Sequence, residues 1–397
     1  MSEIRKVKTA VIGCGMISNI YLRNLKNLFQ IIDLVAVCDH KPETAGDKAR
    51  QYGVEKVMTI DEIASDRDIE LVVNLTGPAA HYDVIRQMLE AGKHVYTEKM
   101  MTTTLEQGRE LLTLADARGL SLGVAPDTVL GAGIQTARGI IDSGLIGDVT
   151  SCIACINRNQ SLNSETFRFL RNPGGALPYD VGIYYIAALL CLLGPVRRIR
   201  GFGAPAPVHT PQLLYQLPEG APSSWQIPGN NLISGALEFE NGALGSILFD
   251  GNTIGESQHM LKIFGTKGIL ELGDPNTFGG EVKLILPESP ACIMPMTHGY
   301  NGSPVLPDPT PYEYAYGHRG IGVAEMAWAI RKDRPCRCSK EYGYHAMEVL
   351  CGLDRAIATD SAYETVSRFE MKPLKSGYFS GMEHGQMRGD AEMSLME

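Results

Sequence analysis

A glycine-rich turn between a short apolar strand and an amphipathic helix lies near the start of the chain. The apolar run 7–12 has the length of a buried strand, and the sequence G-C-G-M-I-S at 13–18 links it to a helical pattern. Gly13 permits the tight turn, Gly15 lets a ligand approach the backbone, and a small third residue lets helix and strand pack closely. Since such a helix start favours phosphate, this unit predicts a dinucleotide-binding fold.

Strand-length apolar runs alternate with helical patterns through the first third of the chain. This alternation predicts a parallel sheet covered by helices, the doubly wound architecture. The predicted strands are 7–12, 32–38, 69–75, 94–97 and 121–124. The predicted helices are 17–29, 42–52, 82–91 and 105–118.

The pattern changes after residue 127. Helices are predicted near 133–143, 178–193, 320–331 and 343–359, and strands at 150–157, 196–202, 232–240, 243–250, 258–265 and 281–286. Turn signals such as Asn241-Gly242 favour antiparallel pairing of these strands. We therefore expect an α/β Rossmann dinucleotide-binding domain over 1–127 and an α+β substrate-binding and oligomerisation domain over 128–375. The latter would hold an open, mostly antiparallel sheet, and 376–397 would form a tail.

Composition excludes several classes of protein. The 36 basic and 45 acidic residues give a net charge of -9, without a Lys/Arg block, which argues against nucleic-acid and anionic-membrane partners. The longest mostly apolar stretch, 181–193, is shorter than the roughly 20 residues of a spanning helix. Nine scattered cysteines indicate reduced thiols, and their spacing gives no metal ligand set. We expect a cytoplasmic protein without a metal site.

Asp39 ends the second predicted strand, 24 residues after Gly15. A carboxylate at this point binds the ribose hydroxyls and repels a 2′-phosphate, so it favours NAD over NADP. Lys41, two residues later, weakens that preference slightly. The alternative is that the aspartate only caps the next helix.

Four further motifs follow one another along the chain. They read N-L-T-G-P-A-A-H at 74–81, A-G-K-H-V-Y-T-E-K-M at 91–100, G-G-A-L-P-Y-D-V-G-I-Y at 174–184 and G-T-K-G-I-L at 265–270. In this order they resemble the Gfo/Idh/MocA family, named for glucose-fructose oxidoreductase and inositol dehydrogenase, over about residues 8–355. Met100 and Gly77 stand where the family has proline. Tyr184 stands where many members have histidine. The D-x-G-x-Y form of this chain resembles a branch of the family that includes glucose-fructose oxidoreductase and dihydrodiol dehydrogenases.

The resemblance implies that Lys99, Asp180 and Tyr184 are the catalytic residues. His81 is expected to brace the cofactor loop rather than to do chemistry. Together with the glycine loop, the resemblance implies a set of NAD-binding residues: Gly13, Gly15, Met16, Ile17, Asp39, Thr76, Gly77, His81, Glu98 and Lys99.

The residue types fit a dehydrogenase. Asp180 and Tyr184 are four apart and share one helix face. A free tyrosine has a pKa near 10, but an adjacent ammonium and the positive nicotinamide favour phenolate. Tyr184 would take the proton of a substrate hydroxyl as hydride passes to NAD, while Lys99 orients the oxygen and stabilises its charge. Asp180 would hold a second hydroxyl or orient Lys99.

Other interpretations remain open for these residues. Asp180 follows Pro178 at a helix start, where the dipole favours an acid regardless of catalysis. Tyr184 is alternatively a packed aromatic, with Tyr185 as the functional residue. Lys99 is alternatively a solvated lysine, and Arg319 is either a ligand contact or a surface charge.

Aromatic residues mark the segments around the predicted pocket. Tyr312, Tyr314 and Tyr316 alternate along the chain, and Trp225 and Tyr300 lie in proline-rich loops. Such side chains suit lids over a sugar and suit a subunit interface equally well.

The leading hypothesis is NAD-dependent oxidation of a secondary hydroxyl of a sugar or glycoside, with C3 of a glucosyl group as one candidate position, to a ketone. The alternative enzyme activity is that of a dihydrodiol-type, xylose-type or inositol dehydrogenase. The alternative without catalysis is an NAD-binding sensor. The partner would be a small carbohydrate or glycoside. The open sheet needs a cover for its outer face, so we expect a homo-oligomer, as a dimer, tetramer or larger assembly.

Overall fold

The computed structural model describes residues 5–211, 222–255, 259–300 and 317–375, which fold around two sheets. The first sheet is parallel, with strand order β3-β2-β1-β4-β5-β6. Its strands are β1 (Val7–Ile12), β2 (Ile32–Cys38), β3 (Lys56–Val57), β4 (Leu71–Asn74), β5 (His94–Thr97) and β6 (Leu122–Val124). The order reverses between β1 and β4, where doubly wound sheets open a crevice at their carboxyl edge. The predicted doubly wound fold is confirmed.

Five helices connect these strands. They are α1 (Ser18–Asn27), α2 (Pro42–Tyr52), α3 (Ile60–Ser65), α4 (Pro78–Glu90) and α5 (Leu105–Arg118). Pro42 and Pro78 occupy first-turn positions, where the fixed φ of proline suits a helix. Helix α4 therefore begins four residues before the predicted start. The sequence pattern missed β3 and α3, because two and six residues are too short to show a period.

The second sheet has nine strands in the order β14-β13-β12-β11-β7-β10-β9-β8-β15. Its strands are β7 (Val149–Asn157), β8 (Val196–Pro205), β9 (Asn230–Phe239), β10 (Leu244–Asp250), β11 (His259–Gly265), β12 (Ile269–Leu272), β13 (Val282–Ile285), β14 (Cys292–Ile293) and β15 (Tyr363–Glu364). The prediction of a mostly antiparallel open sheet is confirmed. One pair departs from it, since β7 and β10 are parallel. The helices α7 (Gln160–Thr166) and α8 (Ile183–Leu193) and the strands β8 and β9 lie between them in the chain, so their connection is a crossover and not a hairpin.

The helices of the second half are α6 (Ala132–Asp142), α7 (Gln160–Thr166), α8 (Ile183–Leu193), α9 (Ile321–Arg331) and α10 (Lys340–Thr359). Every residue of α8 is buried, as expected for a helix that is apolar on all sides. A π-helical turn, Pro178–Gly182, precedes it. Helix α10 contacts α5, β6, α8 and β8, so it packs against both halves of the molecule. The division after residue 127 stays a prediction.

The described residues contain no disulfide bond. All nine cysteines lie within the described residues, and they are free thiols. None of the described helices has both the length and the apolar character of a bilayer-spanning helix.

A buried histidine network links α10 to β8. The Val196 N–H donates to His345 Nε2 over 3.0 Å, and His345 Nδ1 lies 2.8 Å from Ser367 Oγ. The Ser367 hydroxyl in turn donates to the Glu348 carboxylate. This arrangement requires a neutral ring with its hydrogen on Nδ1, because a proton on Nε2 would face the Val196 N–H. Burial accordingly lowers the pKa of His345 to about 4.

Acidification is expected to destabilise the fold through His345. Its folded pKa lies below the unfolded value of about 6.5, so the stability is present above pH 6.5 and is lost as pH falls towards 4. This residue should account for about 2 kcal/mol of the unfolding free energy lost between about pH 7 and 4.5. Urea unfolding at both pH values measures the loss. His345→Gln should flatten the pH dependence, whereas substitution of exposed His40 should not; an unchanged dependence in His345→Gln would contradict the assignment.

Candidate active site

A cleft of about 590 Å³ opens at the carboxyl edge of the first sheet. Both halves of the molecule line it. The first half contributes Gly15, Met16, Ile17, Leu75, Thr76, Gly77, Glu98 and Lys99. The second half contributes Arg158, Phe167, Arg168, Phe169, Asp180, Tyr184, Asn276 and Arg319. The cleft thus lies where the strand order of the first sheet reverses, which is the ligand position of such folds.

Glycine suits the two positions of the first loop for different structural reasons. Gly13 has φ +99°, and a Cβ there would lie 2.5 Å from the backbone carbon of Leu75, so only glycine fits. At Gly15 a Cβ would meet nothing within 4 Å. Gly15 lines the cleft just before α1, and the space beside it suits a phosphate group at the helix start. The loop therefore fits the predicted dinucleotide.

Asp39 supports this loop from the end of β2. Its Oδ2 accepts a hydrogen bond of 2.8 Å from the Cys14 N–H, and its Oδ1 accepts one of 2.9 Å from the Lys41 N–H. Neither Asp39 nor Gly13 is part of the cleft lining given above. The binding of ribose hydroxyls by Asp39 stays a prediction.

Lys99 and Asp180 form an ion pair inside the cleft. Lys99 Nζ donates to Asp180 Oδ1 over 2.9 Å and to the Asp180 carbonyl oxygen over 2.7 Å. The side chains are only 15% and 13% exposed. Gln160 Nε2 donates to the other carboxylate oxygen, Oδ2, over 3.1 Å. The structure therefore places Asp180 where it orients Lys99, and it excludes the interpretation of Lys99 as a solvated lysine.

Both members of this pair are charged. Burial alone would raise the pKa of Asp180, but attraction to Lys99 and its hydrogen bond lower it below its usual range. Burial alone would lower the pKa of Lys99, but Asp180, followed by Tyr184 and Glu98, raises it above its usual value. The cleft thus holds a persistent ammonium.

The phenol of Tyr184 lies between two cations. Arg319 Nη2 donates to Tyr184 Oη over 2.9 Å. Lys99 Nζ lies 5.4 Å from the centroid of the ring, and the Arg319 guanidinium carbon lies 5.2 Å from it. Two neighbouring cations and a donated hydrogen bond would stabilise negative charge on this oxygen during a reaction. Tyr185, the alternative from the sequence, is completely buried and its ring centroid lies 5.9 Å from that of Phe249.

Arg319 is completely buried, so it is not a surface charge. Its Nη1 lies 3.5 Å from Asp127 Oδ1, and Nη2 also donates to Asn276 Oδ1 over 3.1 Å. Asp127 Oδ2 accepts the N–H groups of Gly320 and Gly322 at 2.8 and 3.2 Å. Burial raises the pKa of Asp127 to about 6, although Arg319 opposes the rise. Sequence reasoning missed Asp127 and Asn276, because neither belongs to a motif with spacing that points to this site.

His81 and Glu98 hold the backbone on either side of Lys99. His81 is buried, with Nδ1 2.6 Å from Met100 O and Nε2 2.9 Å from Thr76 O. Glu98 Oε1 accepts from the Tyr21 hydroxyl over 2.8 Å, and Oε2 accepts from the Lys99 N–H over 3.1 Å. The Lys99–Met100 peptide bond is cis. His81 thus braces the loop from behind and does not itself line the cleft, whereas Glu98 does.

The predicted aromatic lid is not supported where the structure describes it. Trp225 is covered by the Arg171 guanidinium, 3.5 Å from its ring centroid, and Tyr300 packs against Phe29. Neither lines the cleft, because other side chains already cover their rings. The other three residues of this prediction, Tyr312, Tyr314 and Tyr316, lie outside the described residues. Phe167 and Phe169, which the sequence analysis did not single out, line the cleft together with Tyr179 and Tyr184.

The described residues contain no candidate metal site. No group of three or more His, Cys, Asp or Glu side chains among the described residues is placed to hold a metal ion.

A Rossmann sheet with a glycine loop at its switch point, joined to an open mixed sheet, defines a two-domain architecture of the dinucleotide-binding class. Residues 7–125 match the model of the Gfo/Idh/MocA oxidoreductase family, NAD-binding Rossmann fold, and residues 134–271 match the C-terminal domain of the same family. The chain belongs to the Gfo/Idh/MocA family, and its cofactor is NAD. The resemblance inferred from the motifs is confirmed.

Three individual proteins that resemble this chain share between 18% and 34% of its residues over the matched regions. An uncharacterised oxidoreductase of Schizosaccharomyces pombe is 34% identical over 194 residues, 47% of this chain and 52% of the relative. The scyllo-inositol 2-dehydrogenase (NADP(+)) of Bacillus subtilis is 26% identical over 192 residues, 48% of this chain and 53% of that enzyme. These matches thus span about half the length of the relatives. A levoglucosan dehydrogenase solved with NADH and L-sorbose has a TM-score of 0.76 at 18% identity, over 91% of this chain and 99% of its own, which shows a shared fold.

Proposed function

We propose that this protein is an NAD-dependent dehydrogenase that oxidises a secondary hydroxyl of a sugar, glycoside or related polyol to a ketone. One observation carries the proposal: the ammonium of Lys99 and the phenol of Tyr184, held by Arg319, line the same cleft beside the glycine loop. An alcohol dehydrogenase needs such a pair, because the hydroxyl proton needs an acceptor and the developing charge on oxygen needs a cation.

NAD fits the first half of the cleft, where Gly15, Met16, Ile17, Thr76 and Gly77 would hold it. When bound, it supplies the hydride acceptor of the reaction. The protein's own residues supply the remaining functions.

Lys99 and Tyr184 divide the work at the substrate oxygen. Lys99 has three N–H donors, of which Asp180 accepts two, and the third would bind the oxygen of the reacting alcohol. Tyr184 Oη, as phenolate, would take the hydroxyl proton. Arg319 would stabilise that phenolate, and Asp180 would keep the ammonium in place.

Known relatives support a polyol substrate without fixing it. One is an inositol dehydrogenase, and a structural neighbour was solved with the sugar L-sorbose. We take C3 of a glucosyl group as the first position to test. The tyrosine at 184 favours dihydrodiol or xylose oxidation as the second candidate, because this form resembles the dihydrodiol dehydrogenase branch.

Formation of NADH from NAD with a panel of substrates tests the proposal. The panel contains free sugars, their 3-deoxy analogues, inositols, aryl glucosides, xylose and an aromatic trans-dihydrodiol. We expect turnover of at least one sugar, glycoside or inositol, and loss of turnover with the 3-deoxy analogue if C3 reacts. Turnover of the dihydrodiol alone would select the second candidate. Turnover only of a non-carbohydrate alcohol or imine would contradict the proposal.

We also propose that a second copy of the chain covers the outer face of the second sheet. Leu248, Cys155 and Met260 lie side by side across three strands on the face away from the helices. Leu248 and Leu244 remain 42% and 59% exposed, which is unusual for apolar side chains of a central strand. Light scattering at micromolar concentration should show a dimer or a larger assembly, and Leu248→Glu should shift it towards monomer. A monomeric parent protein would contradict this proposal.

A further inference from the structure

Three arginines lie on the segment 158–171, which forms much of the wall that the second half contributes to the cleft. Arg171 has a structural role, since it stacks on Trp225 and its Nε donates to the Ser164 carbonyl oxygen over 3.0 Å. Arg158 and Arg168 line the cleft itself. The mechanism above gives neither of them a role.

The charge of the cleft lining is opposite to that of the whole protein. The chain carries a net charge of -9, yet the lining has two acidic residues, Glu98 and Asp180, against four basic ones. The Asp180 carboxylate binds Lys99, and Glu98 binds Tyr21 and the backbone N–H of residue 99. A surplus of positive charge in a cleft draws anionic ligands towards it.

Arg158 lies close to the reacting end of the cleft. It directly follows β7, and its backbone N–H donates to the Asp250 carbonyl oxygen over 2.9 Å, which fixes its position. Burial raises the pKa of Asp180, but Lys99, with a smaller contribution from Arg158, lowers it overall. The guanidinium of Arg158 therefore acts on the same carboxylate that positions the catalytic ammonium.

Arg168 stands in sequence between two aromatic residues of the same wall, Phe167 and Phe169. Phe167 and Phe169 are in edge-to-face contact, with centroids 6.3 Å apart, and both line the cleft. Phe169 is 46% exposed. An arginine next to exposed rings binds one end of a ligand by charge while the rings contact its apolar face.

We propose that the substrate is an anionic sugar, and that Arg158 and Arg168 bind its carboxylate or phosphate group. A guanidinium matches both groups with two parallel hydrogen bonds, whereas a neutral hydroxyl uses only one. This inference rests on the proposed function, because it places the anion on the sugar whose hydroxyl meets Lys99 and Tyr184.

The test compares matched neutral and anionic sugars on the full chain. D-glucose is compared with D-glucuronate and with D-glucose 6-phosphate, which separates carboxylate from phosphate as the source of the charge. Two readouts are used: kcat/KM with NAD, and calorimetric binding to the NADH-saturated protein. At least one anionic sugar should exceed glucose by about tenfold in both. Added salt should weaken the binding of the anionic sugar and leave the binding of glucose unchanged.

Variants assign the effect to the two arginines. In Arg158→Gln and in Arg168→Gln, the ratio of kcat/KM for the anionic sugar to kcat/KM for glucose should fall about tenfold from its value in the parent protein. Arg67→Gln, the same substitution at an exposed position outside the cleft, should change nothing. The affinity of the arginine variants for NADH should equal that of the parent protein. If a variant fails to fold, the salt dependence of the parent protein still tests whether the sugar is bound through its charge.

Three results are decisive. Equal use of neutral and anionic sugars by an active enzyme would overturn this inference and leave the proposed function standing. A loss of NADH affinity in the arginine variants would also overturn it, because the arginines would then serve the cofactor phosphates. Anionic sugars that bind through Arg158 and Arg168 without any turnover would support the anion site and contradict the proposed function.

Discussion

Replacing Tyr184 by phenylalanine is expected to lower kcat about 1000-fold, since the substrate hydroxyl then loses its proton acceptor. Phenylalanine keeps the ring in its buried position, 5% exposed in the parent protein, so the fold should hold. NADH affinity should also remain, because the phenol belongs to the second half of the cleft. Steady-state kinetics with the best substrate, together with fluorescence titration of NADH, measure both quantities.

Tyr185→Phe is the matched control for this substitution. It removes the same atom one residue away, from a ring that packs against Phe249. Its kcat should stay within about threefold of the parent value, because no proton transfer is lost. The assignment of Tyr184 would fail if Tyr184→Phe kept more than a tenth of the parent kcat, or if both variants lost activity equally.

Replacing Lys99 by methionine is expected to reduce kcat by about 100-fold to 1000-fold, because the oxygen loses the cation that stabilises its charge. Methionine matches the length of the lysine stem, so the packing of the cleft should change little. Asp180 would lose the partner that lowers its pKa, and that pKa should therefore rise. A pH-rate profile and an NADH titration accompany the kinetics.

Lys8→Met controls for the loss of a lysine–carboxylate pair. Lys8 donates to Asp68 over 2.8 Å outside the cleft, and its substitution should leave kcat unchanged. The comparison also separates an enzyme from a sensor. An enzyme loses turnover and keeps NADH in Lys99→Met, whereas a sensor has no turnover in the parent protein. Parent-like kcat in Lys99→Met would contradict the assignment.

Local signals in the sequence located the glycine loop and Lys99 at the edge of the first sheet where the cleft opens. Gly13 and Gly15 lie in one short turn, and residue 99 ends a strand whose carboxyl edge faces ligands in this fold. Once the sheet is predicted, the positions of residues at the ends of its strands follow directly from it. The apolar pattern likewise predicted the helix that carries Tyr184, although Asp180 lies in the π-helical turn before it.

Long-range contacts were beyond the reach of sequence reasoning. Arg319 reaches Tyr184 across 135 residues, and its other partner, Asp127, sits in a short 3-10 turn without periodic pattern. Complete burial of an arginine depends on several partners brought together by the tertiary fold, none of which its neighbours in sequence reveal. The parallel pairing of β7 with β10 has the same origin, since turn signals describe hairpins and not crossovers.

A crystal structure of the protein with NADH and its best substrate or an unreactive analogue tests the central claim most directly. The account predicts that a single hydroxyl oxygen of the sugar lies within hydrogen-bond distance of both Lys99 Nζ and Tyr184 Oη, with its carbon facing C4 of the nicotinamide ring. The account would be contradicted if the sugar hydroxyl nearest to C4 of the nicotinamide ring contacted neither Lys99 nor Tyr184. Contact with the Lys99 ammonium alone, with the Tyr184 phenol turned away, would also contradict it.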